Sequence, residues 1–137
     1  MTHYIIDACA LIAFLNDEEG ADKIEDLLNQ SAASDISVSI SIINLLEVYY
    51  GELRDKNAEI AQIALDMVQH YSIKIINTIS EQVFREAARL KVTYKMSLAD
   101  CLGIATAIEL SGQFVSSDHH ELETVAGNEP SLIFWFR

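Results

Sequence analysis

Four carboxylates occupy places where an ordinary surface acid is not expected. Asp7 interrupts Tyr-Ile-Ile-Asp-Ala-Cys-Ala-Leu-Ile-Ala-Phe-Leu, a stretch otherwise free of charge. Glu47 lies in Ile-Ile-Asn-Leu-Leu-Glu-Val-Tyr-Tyr, three residues after Asn44 and so on the same helical face. Asp100 follows Ser97-Leu-Ala and precedes an apolar run, and Asp118 closes Phe-Val-Ser116-Ser-Asp. Each has an everyday explanation: a helix N-cap for Asp7, the polar edge of an amphipathic helix for Glu47, a first-turn acid for Asp100, a turn for Asp118. Taken together they place three acids at strand ends or helix starts and a fourth on an apolar helix. Such positions converge in a parallel sheet, and four ionised carboxylates cannot share a pocket without a cation, because like charges raise one another's pKa. All-oxygen ligands, with no His- or Cys-rich cluster, favour Mg²⁺ or Mn²⁺ over zinc.

The elements that must position these acids follow from the apolar pattern. His3 to Ile6 reads as a strand running into Asp7, and Ala8 to Leu15 as a helix. Ile24, Leu27 and Leu28 recur at helical spacing. Ile36 to Ile40 alternates like a strand, and Ser41 opens a helix that carries Asn44 and Glu47 and ends near Gly51. Ile60, Ile63, Ala64, Met67, Val68 and Tyr71 form the clearest helical stripe. Ile73 to Ile76 is a third strand; Val83, Ala87, Leu90 and Tyr94 mark a helix, and Leu98, Leu102, Ala105 and Ile108 another. Phe114 and Val115 begin a fourth strand, and Leu132 to Phe136 make a fifth, with no element read between Asp118 and Leu132. Strands alternating with helices imply an α/β fold with a mainly parallel sheet of about five strands, covered on both faces. Ligands in open sheets of this kind gather beyond the carboxyl ends of the strands.

Composition bounds the function. The chain has 137 residues, half of them hydrophobic, with one Pro and five Gly, so it reads as one domain over residues 1–137 rather than a disordered or linker-rich chain. No apolar run is long enough to span a bilayer, and no signal peptide is visible, so a cytoplasmic protein is expected. Two cysteines outside any CxxC pair make no disulfide scaffold and read as small buried hydrophobes. A net charge of −12 argues against a sequence-specific DNA reader. It leaves room for a nuclease whose carboxylates hold divalent cations. Six acids between Asp17 and Asp26 read as a solvated helix face, whereas Arg85, Arg89, Lys91 and Lys95 gather within eleven residues. Those four bases either guide a nucleic-acid backbone or pair with Glu81 and Glu86.

At these residues the sequence resembles the PIN-domain ribonucleases, most closely the VapC-type toxins of prokaryotic toxin–antitoxin pairs. The resemblance runs along the whole chain, through Tyr-Ile-Ile-Asp7-Ala-Cys-Ala-Leu, Asn44-Leu-Leu-Glu47-Val-Tyr-Tyr-Gly, Leu98-Ala-Asp100-Cys-Leu-Gly-Ile-Ala-Thr-Ala and Ser116-Ser-Asp118. It implies a three-layer α/β/α sandwich, a Mg²⁺ or Mn²⁺ site and hydrolysis of RNA phosphodiester bonds. It makes Asp7, Glu47, Asp100 and Asp118 the catalytic, metal-binding quartet, with Asn44 and Ser116 as supporting residues. One ion between Asp7 and Asp100, and a second near Glu47 and Asp118, would follow. Cys9 departs from the family, which usually has Ser or Thr there, and a thiol is a weaker hydrogen-bond partner than a hydroxyl. His119 and His120 read as exposed turn residues. The resemblance further implies an antitoxin that sets an Arg or Lys among the four acids and packs on the helices around Ile24 to Leu28 and Leu45 to Leu53. A homodimer is expected as the commonest closed assembly. A phospho-acceptor signalling domain fits poorly, because the third strand ends Ile-Ile-Asn-Thr without an acid. A haloacid-dehalogenase-type phosphatase would need a second Asp where Cys9 stands. A non-catalytic PIN module that binds or assembles is the remaining alternative.

Overall fold

The computed structural model describes residues 1–33 and 35–137. Along the described chain run β1 (Thr2–Ile6), α1 (Ala8–Leu15), α2 (Ala21–Ala32), β2 (Ile36–Ser41), α3 (Ile42–Asp55), α4 (Ala58–His70), β3 (Lys74–Ile76), α5 (Glu81–Thr93), α6 (Leu98–Glu109), β4 (Gln113–Ser116), α7 (His119–Asn128) and β5 (Ile133–Trp135). The strands form one sheet in the order β3-β2-β1-β4-β5, and every neighbouring pair is parallel. Sequence alternation sorts side chains to the two faces. Ile6, Val38, Ile40 and Val115 pack with α1 to α4, while Ile5 and Phe114 pack with α5 to α7. Two apolar cores thus sandwich the sheet, the three-layer α/β/α arrangement expected from the sequence. Among the described residues no helix is long and apolar enough to cross a membrane.

The order of strands fixes where a ligand can sit. From β1 the chain builds outward through β2 and β3, then returns to place β4 on the other side of β1 and β5 beyond it. The connections leaving β1 and β4 therefore diverge to opposite faces and open a crevice at the carboxyl end of the sheet. Asp7 follows β1 directly, and Asp118 follows β4 with Ser117 between them. On the far face, α6 lies tight against β4. A Cβ added at Gly103 would come within 2.4 Å of Phe114 Cε1 and 3.1 Å of Asn44 Oδ1. The missing side chain is what lets α6 approach both β4 and α3, with Asp100 one turn upstream.

Three expectations change. Residues 119–128 form helix α7 rather than turn and loop; Leu122 and Val125 are its two core anchors, too few to show a period. Helix α3 runs through Gly51 to Asp55, because the buried Glu52 beyond the glycine is held by Lys56 at 3.1 Å, and Lys56 also reaches Asn16 at 2.8 Å. Tertiary anchoring of that kind outweighs the roughly 1 kcal/mol that a helical glycine costs. Finally, Ile24, Leu27 and Leu28 lie in the core at 0–4% exposure and offer no surface to a partner. Leu46, Tyr50 and Leu53, on α3, are exposed.

Candidate metal centre

Each acid of the crevice is set by the helix or strand end that carries it. Asp7 caps α1: its Oδ1 accepts from the Ala10 amide at 2.8 Å, and its Oδ2 accepts from the Ser116 hydroxyl at 2.5 Å. The Ser116 Oγ in turn accepts from the Asp118 amide at 3.1 Å, so one buried hydroxyl ties the end of β1 to the end of β4. Asp118 caps α7 and accepts from the Glu121 amide at 3.1 Å. Ser97 caps α6 by accepting from the Asp100 amide at 3.1 Å, while its own amide donates to the Glu121 carboxylate. From α3, the Asn44 amide group donates to Glu47 at 3.2 Å. The helix-capping explanation of Asp7 and its place in the crevice therefore hold together; one residue does both.

These side chains line one cleft of about 160 Å³, made of Asp7, Ala8, Cys9, Asn44, Glu47, Ser97, Asp100, Asp118 and Glu121. All four acids expected from the sequence reach it, as do Cys9 and Asn44, with Ser116 buried just beneath. Sequence reading missed Glu121 and Ser97. Glu121 stands three residues after the cap Asp118, the spacing of a capping box, and that signal would have revealed both the helix and the fifth acid. The tightest grouping includes it: Asp100, Asp118 and Glu121 each offer an oxygen within 4.8 Å of the others. Asp7, expected to share an ion with Asp100, is the first of the charges that act on Asp100.

The electrostatics are those of a cluster lacking a counter-charge. Burial pushes the Asp7 carboxyl up to about 6; hydrogen bonds from Ser116 and Ala10 oppose the rise, and Asp118 and Glu47 add to it. Asp100 is pushed up to about 7 by burial and then by Asp7, Glu121 and Glu47. Glu47 is also raised, first by burial, against its hydrogen bond from Asn44. Among the described residues no Lys, Arg or His forms an ion pair with any of the five acids. Crowded, cation-free carboxylates with oxygen-only donors suit a hard divalent ion.

Several neighbouring readings also resolve. Cys9 is exposed at the cleft rather than buried, its thiol pushed up to about 12 by desolvation and by Asp7, Asp118 and Asp100. Cys101 is the buried hydrophobe that was expected. Of the basic group, Arg85 pairs with Glu81, Arg89 with Glu86 and Glu129, and Lys91 donates to the Met96 carbonyl at 2.7 Å. Arg85 and Arg89 thus show the expected pairing, Lys91 is held by a backbone carbonyl instead, and Lys95 is exposed. His119 is exposed as expected, but it opens α7 and stacks on Trp135 with ring centroids 3.9 Å apart.

Comparison with known proteins follows the same lines. The model of the PIN domain family matches residues 4–128. No curated protein sequence is similar to the chain. Among solved structures, it is similar to VapBC2 from Rickettsia felis bound to a promoter DNA fragment, with TM-score 0.76, 21% identity and 98% of each chain covered. It is similar to DNA-bound VapBC from Salmonella typhimurium, with TM-score 0.73, 15% identity and both chains fully covered. A toxin–antitoxin complex from Klebsiella pneumoniae gives TM-score 0.66, 20% identity and 98% of each chain. At these identities the likenesses establish the shared fold.

Proposed function

We propose a function from one premise: this chain belongs to the PIN domain family, whose model spans residues 4–128. Residues 1–137 act as one PIN-like nuclease domain, a metal-dependent endoribonuclease that hydrolyses RNA phosphodiester bonds. The observation that carries this reading is the cleft itself: five carboxylates at the switch point of a parallel sheet, with no cation among the described residues paired to any of them. Asp7, Glu47, Asp100 and Asp118 would hold Mg²⁺ or Mn²⁺, with Glu121 joining Asp100 and Asp118. A divalent ion there supplies Lewis-acid activation of the phosphate and a water of lowered pKa. The chain's own part is positioning. Ser116 orients Asp7 and fixes the Asp118 backbone, Asn44 orients Glu47, and the amides of Ser97 and Ala10 hold Glu121 and Asp7. Water is the nucleophile and no covalent enzyme intermediate forms.

The biological role proposed is that of a cytoplasmic toxin of a type II toxin–antitoxin pair, active as a homodimer. The solved neighbours are toxin–antitoxin complexes, which supports a protein partner. That partner sets an Arg or Lys among the acids, since a guanidinium forms paired hydrogen bonds with carboxylates. Its apolar contacts fall on α3, where Ile42, Ile43, Leu46 and Tyr49 line a groove of about 280 Å³ with Leu65 of α4. Incubation of the full chain with single-stranded RNA and Mn²⁺ tests the reading. Cleavage should stop on adding EDTA and return with excess metal, and undiminished cleavage in EDTA would contradict it.

A further inference from the structure

An acidic nuclease must still hold a polyanion. Even two divalent ions would leave a negative charge on five carboxylates, so a fixed cation at the rim has a task that the metal does not perform. Five of the basic side chains are committed elsewhere: Arg54 to Asp55, Lys56 to Glu52, Arg85 to Glu81, Arg89 to Glu86 and Glu129, and Lys91 to Met96. Arg137 is ion-paired as well, to Glu18, but its place in the fold differs. The Phe136 amide donates to the Ser116 carbonyl at 3.2 Å, extending the β4–β5 ladder past Trp135. The Arg137 carbonyl lies 2.8 Å from Nε2 of His119, the residue next to Asp118. Phe136 is fully buried, and Gly20, at φ +87°, lets the α1–α2 loop close on it, since a Cβ there would lie 2.6 Å from the Phe136 carbonyl oxygen. The backbone of Arg137 is thus fixed beside the end of β4, at the carboxyl edge of the sheet. Its Nη1 donates to Glu18 Oε1 at 3.1 Å and to the Glu19 carbonyl at 3.0 Å, and the guanidinium lies over the Phe136 ring. Both bonds use the same nitrogen, which leaves Nε and Nη2 as a parallel pair of donors, the geometry that grips a phosphate.

We propose that Arg137 is a substrate-positioning residue, binding a phosphate of the RNA strand beside the scissile one while Glu18 and the Glu19 carbonyl hold its guanidinium at the rim of the acidic cleft. This rests on the ribonuclease reading above. Arg137 then governs how tightly RNA is held, and the acids govern how fast it is cut.

Fluorescence anisotropy with a short labelled single-stranded RNA of mixed sequence, in Ca²⁺ and over a salt series, tests it on the full chain. Arg137→Gln should bind roughly 10-fold more weakly. Its plot of log affinity against log salt should flatten by about 0.7, the value of one lost contact to a single strand. Arg137→Lys should recover part of the affinity and all of the salt slope. Glu18→Gln, which frees the guanidinium without removing it, should bind RNA as tightly as the parent or more so. In Mn²⁺, Arg137→Gln should raise KM and leave kcat nearly unchanged. If Arg137 merely latches the tail to the α1–α2 loop, both variants will lose melting temperature and RNA affinity alike with the salt slope intact, which overturns the inference. Parent-like binding by Arg137→Gln overturns it as well. A parent chain that binds no RNA overturns the ribonuclease reading and this inference with it.

Discussion

Asp100 and Glu129 are both carboxylates largely withdrawn from water, and they titrate in opposite directions. Burial pushes each upward. At Asp100 the neighbours are Asp7, Glu121 and Glu47, and the carboxyl rises to about 7. At Glu129 burial is opposed by the Arg89 guanidinium, 2.7 Å away, and by a hydrogen bond with Tyr94, which together hold the carboxyl below its ordinary value. The α5–α7 junction is an ion-pair network in which charge is matched within the fold. The cleft between α1, α3, α6 and α7 is a set of charges the fold brings together and leaves unmatched. On the function proposed above, the difference separates a structural acid from a functional one, and the match for Asp100 is the divalent ion.

The largest contrast between these regions lies in activity. Asp100→Asn should reduce RNA cleavage by more than the roughly 10–100-fold expected from losing an outer supporting residue, while circular dichroism reports an intact fold. Glu129→Gln should leave cleavage within about threefold of the parent, because a partly exposed ion pair contributes only ~1 kcal/mol. A grossly unfolded Asp100→Asn chain would make that acid structural, and the comparison would collapse.

Stability should reverse the order. Asp7 and Asp100 have folded pKa values of about 6 and 7 against an ordinary 3.8, so the folded state binds more protons than the unfolded state between those limits. Metal-free stability therefore falls as pH rises from about 4 to 7 and levels off above that window. Asp100→Asn should stabilise the metal-free chain above pH 7 by about 2–4 kcal/mol and flatten that slope. Glu129→Gln should instead destabilise it slightly, since Arg89 loses a partner. Denaturant melts of both variants in EDTA across this range check the signs. An Asp100→Asn chain less stable than the parent above pH 7 would show that the cleft is not electrostatically strained.

The smallest effect concerns Cys9, on the rim of the same cleft. Restoring a hydroxyl with Cys9→Ser should keep or raise turnover, measured as kcat in Mn²⁺. A loss larger than any fall in stability explains would give the thiol a role of its own.

What the sequence disclosed about these regions follows from how each residue signals. The sheet was legible because buried parallel strands show as short β-branched runs, and Asp7, Glu47, Asp100 and Asp118 stood out by interrupting apolar context. Glu121 did not. It lies in His-His-Glu-Leu-Glu, where an acid looks like solvated surface, on a helix with only Leu122 and Val125 as buried anchors. Its presence in the cleft depends on the Asp118 cap turning α7 back toward Ser97, a long-range fact. The misassignment of Ile24 to Leu28 as a partner surface has the same root. An apolar stripe does not say whether the core or a second protein covers it, and here α2 gives its stripe to the sheet.

The central claim, that the cleft is built for a divalent cation, is tested most directly by calorimetric titration of Mn²⁺ into the metal-free full chain near neutral pH. The account predicts saturable binding that is lost in Asp100→Asn, weakened in Glu121→Gln and unchanged in Glu129→Gln. No saturable binding to the parent chain, or binding that survives undiminished in Asp100→Asn, would contradict it.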